Sequence, residues 1–155
     1  MKNKSLIVLM ALVSFSPLWT VAQSTNTSNT EIVVITVQDV NCQITWVGLT
    51  LEPDPRMGLK ESDKAIDMQL MCALNPKIGS GAIRSSLMEE GRFVDKEENV
   101  YVIAVIESQR GEAVTEEEYT FILTLTTVVP KDLDLGTLNF VFGDRKIPLK
   151  PFIKD

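Results

Sequence analysis

Histidine is absent from the 155-residue sequence, and only two cysteines occur in it. Without histidine the chain cannot form a Ser–His or Cys–His nucleophile pair, and it lacks the commonest metal ligand. No GxxxxGK or GxGxxG phosphate-binding motif is present. We therefore expect no enzymatic activity, no cofactor and no metal site.

Positive charge is also scarce. Fifteen Lys and Arg residues stand against 21 Asp and Glu residues, which gives a formal net charge of −6. Nucleic acids and anionic membrane surfaces attract basic proteins, so this balance argues against both as partners. We interpret most of the negative charge as a solvated surface.

A single long hydrophobic run, residues 6–19, follows Lys2 and Lys4 near the N-terminus. Small residues then occupy positions 20 and 22, so residues 1–22 are typical of a secretory signal peptide, with cleavage after Ala22 or, as the alternative, after Ser24. The run is shorter than the roughly 20 apolar residues of a transmembrane helix. We expect an exported protein, periplasmic or extracellular, with no membrane span after cleavage.

The two cysteines, Cys42 and Cys72, form an even pair in a chain that we expect to be exported. Such a pair predicts a disulfide, because a metal pair or a redox pair would need CxxC spacing or nearby histidines. Closing a loop of about 31 residues stabilises a fold by about 3.5–4 kcal/mol on the chain-entropy model. Both cysteines lie on predicted strands, so we expect the bond to join two sheets.

Alternation of apolar and polar residues is clearest in residues 119–129, which predict a long central strand. Further strands are predicted at residues 32–37, with both faces buried, and at 42–51, 65–73, 93–94, 99–108, 138–142 and 147–149. Gly48 indicates a bulge, and Pro148 and Pro151 confine the last strand to an edge.

Residues 82–88 fit either a short strand or one to two turns of helix capped by Ser80 and stopped at Gly91. We favour the strand, with a hairpin turn at 89–92 and an acidic loop at 109–118. After a polar tether at residues 23–30, residues 31–155 then form a single domain. The pattern predicts an all-β fold, an antiparallel, immunoglobulin-like two-sheet sandwich with one disulfide.

Some of these segments resemble parts of two known protein classes. Residues 88–93 (MEEGRF), 126–132 (TTVVPKD) and 138–149 resemble secreted immunoglobulin-like domains of the telokin-like type. That resemblance implies a binding or accessory module without catalytic residues. Residues 66–72 (IDMQLMC) resemble part of a fimbrial subunit, although the C-terminal residues 151–155 (PFIKD) lack the penultimate tyrosine of that class.

Acidic groups occur at 89–90, at Asp95 with 97–98, and at 116–118. Glycoside hydrolysis needs two carboxylates held in a cleft, whereas these lie between other charges, so we interpret them as solvated loop acids. Residues 132–136 have a DxDxG shape that offers oxygen ligands for calcium, but apolar residues fill the gaps. We interpret this segment as a turn.

The loop at residues 51–62 and the nearby Trp46 are the best candidates for contact with a partner. Pro53 and Pro55 stiffen the loop, while Arg56 and Met57 are of types enriched at interfaces. Core packing of Trp46 beside the disulfide is the alternative. We expect an exported, non-enzymatic module that binds a protein or surface partner, with a fimbrial (pilin-like) assembly subunit as the alternative.

Overall fold

The computed structural model of the protein describes residues 32–74, 79–113 and 119–154. The predicted signal peptide, the tether at 23–30, the predicted turn at Asn75 and Pro76, and the acidic residues 116–118 lie outside these ranges. Within them the chain is mostly antiparallel β-structure with one helix.

The described residues form eight strands in a single sheet. In chain order these are β1 (Val34–Val37), β2 (Val40–Leu49), β3 (Asp63–Leu74), β4 (Arg92–Val94), β5 (Val100–Ala113), β6 (Tyr119–Pro130), β7 (Asn139–Phe142) and β8 (Arg145–Pro148). Helix α1 (Ser80–Glu90) lies between β3 and β4 in the sequence. The spatial order is β1-β2-β3-β6-β5-β4-β7-β8, and all neighbouring pairs are antiparallel.

Strand β6 lies in the middle of this sheet, as its sequence predicts. It pairs with β3 from Asp63 opposite Pro130 to Leu74 opposite Tyr119, and with β5 on its other side. Its inward residues Leu123, Leu125 and Val129 are buried. The prediction of a long central strand is therefore confirmed.

The sheet curls into a half-barrel, and the predicted two-sheet sandwich is not confirmed. Strand β5 pairs with β4 through residues 100–102 and with β6 through most of its remaining length, so it joins both halves into one sheet. The C-terminal segment then reaches back to β2, where Ile153 forms a parallel bridge with Val47. Arg145 Nη1 donates to the carbonyl oxygen of Val34 at 2.6 Å, which ties the start of β8 to β1.

Residues 80–90 form a helix, so the favoured strand and its hairpin at 89–92 are wrong. Ile83 and Leu87, one turn apart, are both fully buried, and the N–H of Gly91 ends the helix on the carbonyl of Leu87. Gln38 donates to Ser86 at 2.8 Å. The helix is held against the sheet because its short apolar side completes the core. Within the described ranges, no helix is long and apolar enough to span a membrane.

Three further expectations about strands differ from the structure. Strand β1 is an edge strand with only Ile35 and Val37 buried, because only β2 pairs with it. The irregularity in β2 falls between Ile44 and Trp46 and not at Gly48. Strand β5 continues to Ala113, into the region predicted as an acidic loop. The last strand, β8, does lie at an edge as predicted.

The disulfide between Cys42 and Cys72 is present, but it lies within one sheet. The two residues face each other on adjacent strands β2 and β3, with 4.2 Å between their Cα atoms, and both are fully buried. The expectation that the bond joins two sheets is wrong, because β2 and β3 are hydrogen-bonded neighbours. The bond therefore fastens one strand pair on its core side.

Phe152 closes the core at the end of the described chain and is 1% exposed. We expect Phe152→Ala to lower the free energy of unfolding by about 3–5 kcal/mol, since it leaves a cavity among residues that cannot collapse fully. The exposed neighbour Lys150 is the matched control, and Lys150→Ala should change stability by less than about 0.5 kcal/mol. Urea denaturation of both variants measures this, and equal midpoints would contradict a closing role for Phe152.

Candidate functional site

The loop after β2 is built by its own residues. Asp54 Oδ1 accepts a hydrogen bond from the N–H of Arg56 at 2.8 Å and so caps a 3-10 turn at Pro55–Met57. Pro55 stands at the first position of that turn, where its fixed φ is favourable. Gly58 ends the turn with φ of 60°, a conformation that glycine adopts without strain.

An ion pair strengthens this turn. Arg56 Nε donates to both oxygens of Asp54 at 3.0 Å, and Nη2 donates to Oδ2. The side-chain hydrogen bonds from Arg56 lower the pKa of Asp54 to about 2, and Asp54 raises the pKa of Arg56. The Arg56 side chain is nonetheless 90% exposed, so this ion pair shapes the loop and still leaves the guanidinium accessible.

Trp46 lies on the outer face of the sheet and does not pack in the core beside the disulfide. The irregularity at Thr45 lets both Ile44 and Val47 point inward, which turns Trp46 outward between them. Its half-buried ring rests on Gly48, where a Cβ atom would overlap Cζ2 of the indole. Gly48 therefore provides the space that the indole occupies.

Strand pairing places two rows of side chains next to the indole. The first row runs across β2, β3, β6 and β5 and comprises Trp46, Gln69, Thr124 and Glu107. The second row runs beside it and comprises Gly48, Asp67, Thr126 and Val105. Because neighbouring strands lie about 4.8 Å apart, each row spans about 14 Å.

These rows form the floor of a cavity of about 300 Å³, which we call the outer groove. The loop forms its wall through Leu51, Glu52, Asp54 and Met57, while Leu49 and Thr50 complete the lining. A second cavity, lined by Asp54, Arg56, Met57, Ala104 and Val105, adjoins it. The outer groove thus combines apolar side chains with four carboxylates, and none of the residues lining it is basic.

The floor of the outer groove is held by hydrogen bonds. Thr126 Oγ1 donates to Asp67 Oδ1 at 2.7 Å, and Thr45 Oγ1 donates to the carbonyl of Gln69 at 3.3 Å. Thr50 Oγ1 is buried without a hydrogen-bond partner among the described residues. A buried hydroxyl in that state is unfavourable unless water or a ligand reaches it.

Two of the predicted partner-contact residues, Trp46 and Met57, line the outer groove. Arg56 lines only the adjoining cavity, while Pro53 is half-buried and Pro55 exposed, so both prolines shape the loop without lining the groove. The sequence did not identify the floor residues Asp67, Gln69, Thr124, Thr126, Val105 and Glu107. Alternation predicts which of them point outward, but only the pairing register brings them together.

Asp95 is not a solvated loop acid, because it is 3% exposed. Its Oδ1 accepts from the N–H groups of Glu97 and Asn99 at 2.8 and 2.9 Å, and its Oδ2 accepts from Asn99 Nδ2 and Tyr101 Oη, both at 2.9 Å. The hydrogen bonds, that of the Asn99 side chain above all, outweigh burial and lower the Asp95 pKa to about 2. Burial, and then the bond to Asp95, raise the pKa of Tyr101 to about 12. Asp95 therefore organises its loop.

The DxDxG segment forms a turn, as the sequence predicts. Asp134 Oδ1 accepts from the N–H of Gly136 at 2.9 Å and caps the 3-10 turn at Leu135–Thr137. Across residues 32–74, 79–113 and 119–154, no group of three or more Cys, Asp or Glu side chains is arranged to hold a metal ion.

Comparison with protein-family models, curated proteins and solved structures found no match for this chain. The lining of the outer groove combines two kinds of chemical group. Apolar side chains and an indole offer area to bury, and fixed carboxylates beside them offer charge.

The Asp95 network predicts a dependence of stability on pH. A carboxylate whose pKa is lowered on folding stabilises the protein above its unfolded pKa of about 3.9, and this contribution is lost as pH falls toward the folded value. We expect Asp95→Asn to lower the melting temperature at pH 7, and the difference from wild type to shrink between about pH 4 and pH 2. Asp144→Asn, in the exposed β7–β8 turn, is the control. A difference that is independent of pH would contradict the assignment.

Proposed function

We propose that this protein is an exported, non-enzymatic binding or accessory module that recognises a protein or surface partner through the outer groove. One observation carries the proposal: Trp46 on β2 and Met57 in the loop after it line the same groove. Trp, Met and Arg are enriched where protein interfaces are buried.

Preorganisation of the loop supports this proposal. The Asp54–Arg56 ion pair, Pro55 and Gly58 hold the loop in one shape before any partner arrives, which reduces the entropy lost on binding. Leu51 and Leu49, beside the loop, are 94% and 53% exposed. Burying these side chains against a partner would be favourable.

Export is part of the proposal and is supported by the disulfide between Cys42 and Cys72, because such bonds persist in oxidising compartments such as a periplasm or the cell exterior. The proposal also includes a relation to secreted immunoglobulin-like domains and to the two-sheet arrangement of those domains. The resemblance covers the hairpin that β7 and β8 form, and also residues 88–93, where α1 ends.

The double variant Arg56→Ala with Met57→Ala tests the proposal. We expect it to shift the melting temperature by only a few degrees, since both side chains lie outside the hydrophobic core, and to weaken partner binding at least about ten-fold. Partners would be captured on the tagged protein from cells that produce it and then titrated in purified form.

A matched control is available at two residues that do not line the groove. Arg92 and Val102 face each other on β4 and β5, are exposed, and do not line the outer groove. Arg92→Ala with Val102→Ala should leave partner binding unchanged. If both double variants lose the partner equally, or neither does, the recognition surface lies elsewhere.

The fimbrial alternative predicts a different solution behaviour. A fimbrial subunit lacks a strand and completes its sheet with one from a neighbour. Here the chain's own residues Ile153 and Lys154 contact β2, through the bridge to Val47 and a 3.3 Å hydrogen bond to its carbonyl. We therefore expect a monodisperse species in size-exclusion chromatography that melts cooperatively without a chaperone. Strand-exchanged polymers would favour the alternative.

A further inference from the structure

The geometry points to a basic segment of a protein partner as the ligand of the outer groove, with a lysine or arginine side chain held between the indole of Trp46 and the carboxylate of Asp67. This inference rests on the proposed function and names the chemical class of the partner. The outer groove is then a site for a cation on an apolar stem.

The indole and the carboxylate are neighbours on the outer face. The Trp46 ring rests on Gly48, and Gly48 faces Asp67 directly across the β2–β3 pair. Directly opposite residues in antiparallel strands have Cα atoms about 4.5–5.5 Å apart. A cation placed there meets both the π-face of an aromatic ring and a negative charge, two groups that attract cations.

Asp67 is held in position and still has capacity to accept. Thr126 donates to its Oδ1 at 2.7 Å, and no other residue in the described part of the chain bonds to this carboxylate. Oδ2 is thus available to an ammonium or guanidinium group. Asp95 makes an instructive contrast, because three donors in its own loop and Tyr101 Oη on β5 already occupy both of its oxygens.

Charge around the outer groove favours a cation over an anion. Glu52, Asp54 and Glu107 line it together with Asp67. Arg56 lines only the adjoining cavity and is paired with Asp54, while Lys154 lines a separate depression together with Trp46. A second copy of this chain, with a net charge of −6, would be repelled as an occupant.

Apolar side chains of the groove suit the stem of a long basic residue. Met57, Leu49 and Val105 line it beside the indole. Lysine and arginine bury their methylene groups along such surfaces while the charged end stays near polar groups. A small inorganic cation would gain nothing from these contacts, so they select an organic cation on a chain.

Three peptides of equal length test the inference. One contains lysine, and the other two have glutamine or glutamate at the same positions. Trp46 is the only tryptophan in the described part of the chain, so its fluorescence reports occupancy of the groove. Isothermal titration calorimetry gives the affinity independently of that signal. We expect saturable binding of the lysine peptide and little binding of the other two.

Two variants locate the binding site of the lysine peptide. Asp67→Asn keeps an oxygen that can accept from Thr126, so it should fold normally and weaken binding at least about ten-fold. Asp144→Asn removes the same charge from the exposed β7–β8 turn and should change the affinity less than two-fold. Trp46→Leu, measured by calorimetry, should also weaken binding, which provides a second reading if Asp67→Asn is poorly folded.

Equal effects of Asp67→Asn and Asp144→Asn would overturn the inference, because binding would then reflect net charge alone. Equal binding of the glutamine peptide would also overturn it, since the groove would then be an apolar docking surface without charge selection. If no peptide binds while Arg56→Ala with Met57→Ala still loses the captured partner, only this inference falls. If no peptide binds and the variant Arg56→Ala with Met57→Ala also retains the captured partner, both this inference and the proposed function are wrong.

Discussion

The pairing of β6 with β3 on one side and β5 on the other is the interaction on which both the core and the outer groove depend. The inward side chains of β6, such as Leu123 and Leu125, are buried in the core. On the outer face of the same strand, Thr126 donates a hydrogen bond to Asp67. A slip of one residue would exchange these faces, exposing leucines and burying threonines. The cost of that exchange is what specifies the register, and the register in turn assembles the groove floor.

The curling of the sheet gives its two faces different surroundings. The inner face is occupied by the core, to which α1 contributes Ile83 and Leu87 and the C-terminal segment contributes Phe152. The disulfide adds a covalent link on that same inner side. What remains accessible is the outer surface, and there the loop after β2 stands beside the indole to form a concave region.

Two aspartates of this chain show how surroundings decide the role of one chemical group. Asp95 has both oxygens occupied by donors from its own loop and from Tyr101 on β5, which hold the loop in place and lower the pKa of Asp95. Asp67 has one hydrogen bond from Thr126 and lies beside apolar and aromatic side chains in the outer groove. The first carboxylate is a structural element, whereas the second has the capacity to meet a ligand.

Features that depend on local chemistry followed from the sequence alone: the alternation of β3 and β6, the cysteine pair, the turn at 132–136 and the loop that presents Met57. Tertiary structure decided the rest. Residues 82–88 became helical because Ile83 and Leu87 both reach the core, and Trp46 turned outward because of the irregularity at Thr45 and the space over Gly48. The groove floor and the curled sheet depend on which strands pair and in what register. Periodicity reports only which side of its own strand a residue occupies, and it does not report the neighbour it meets.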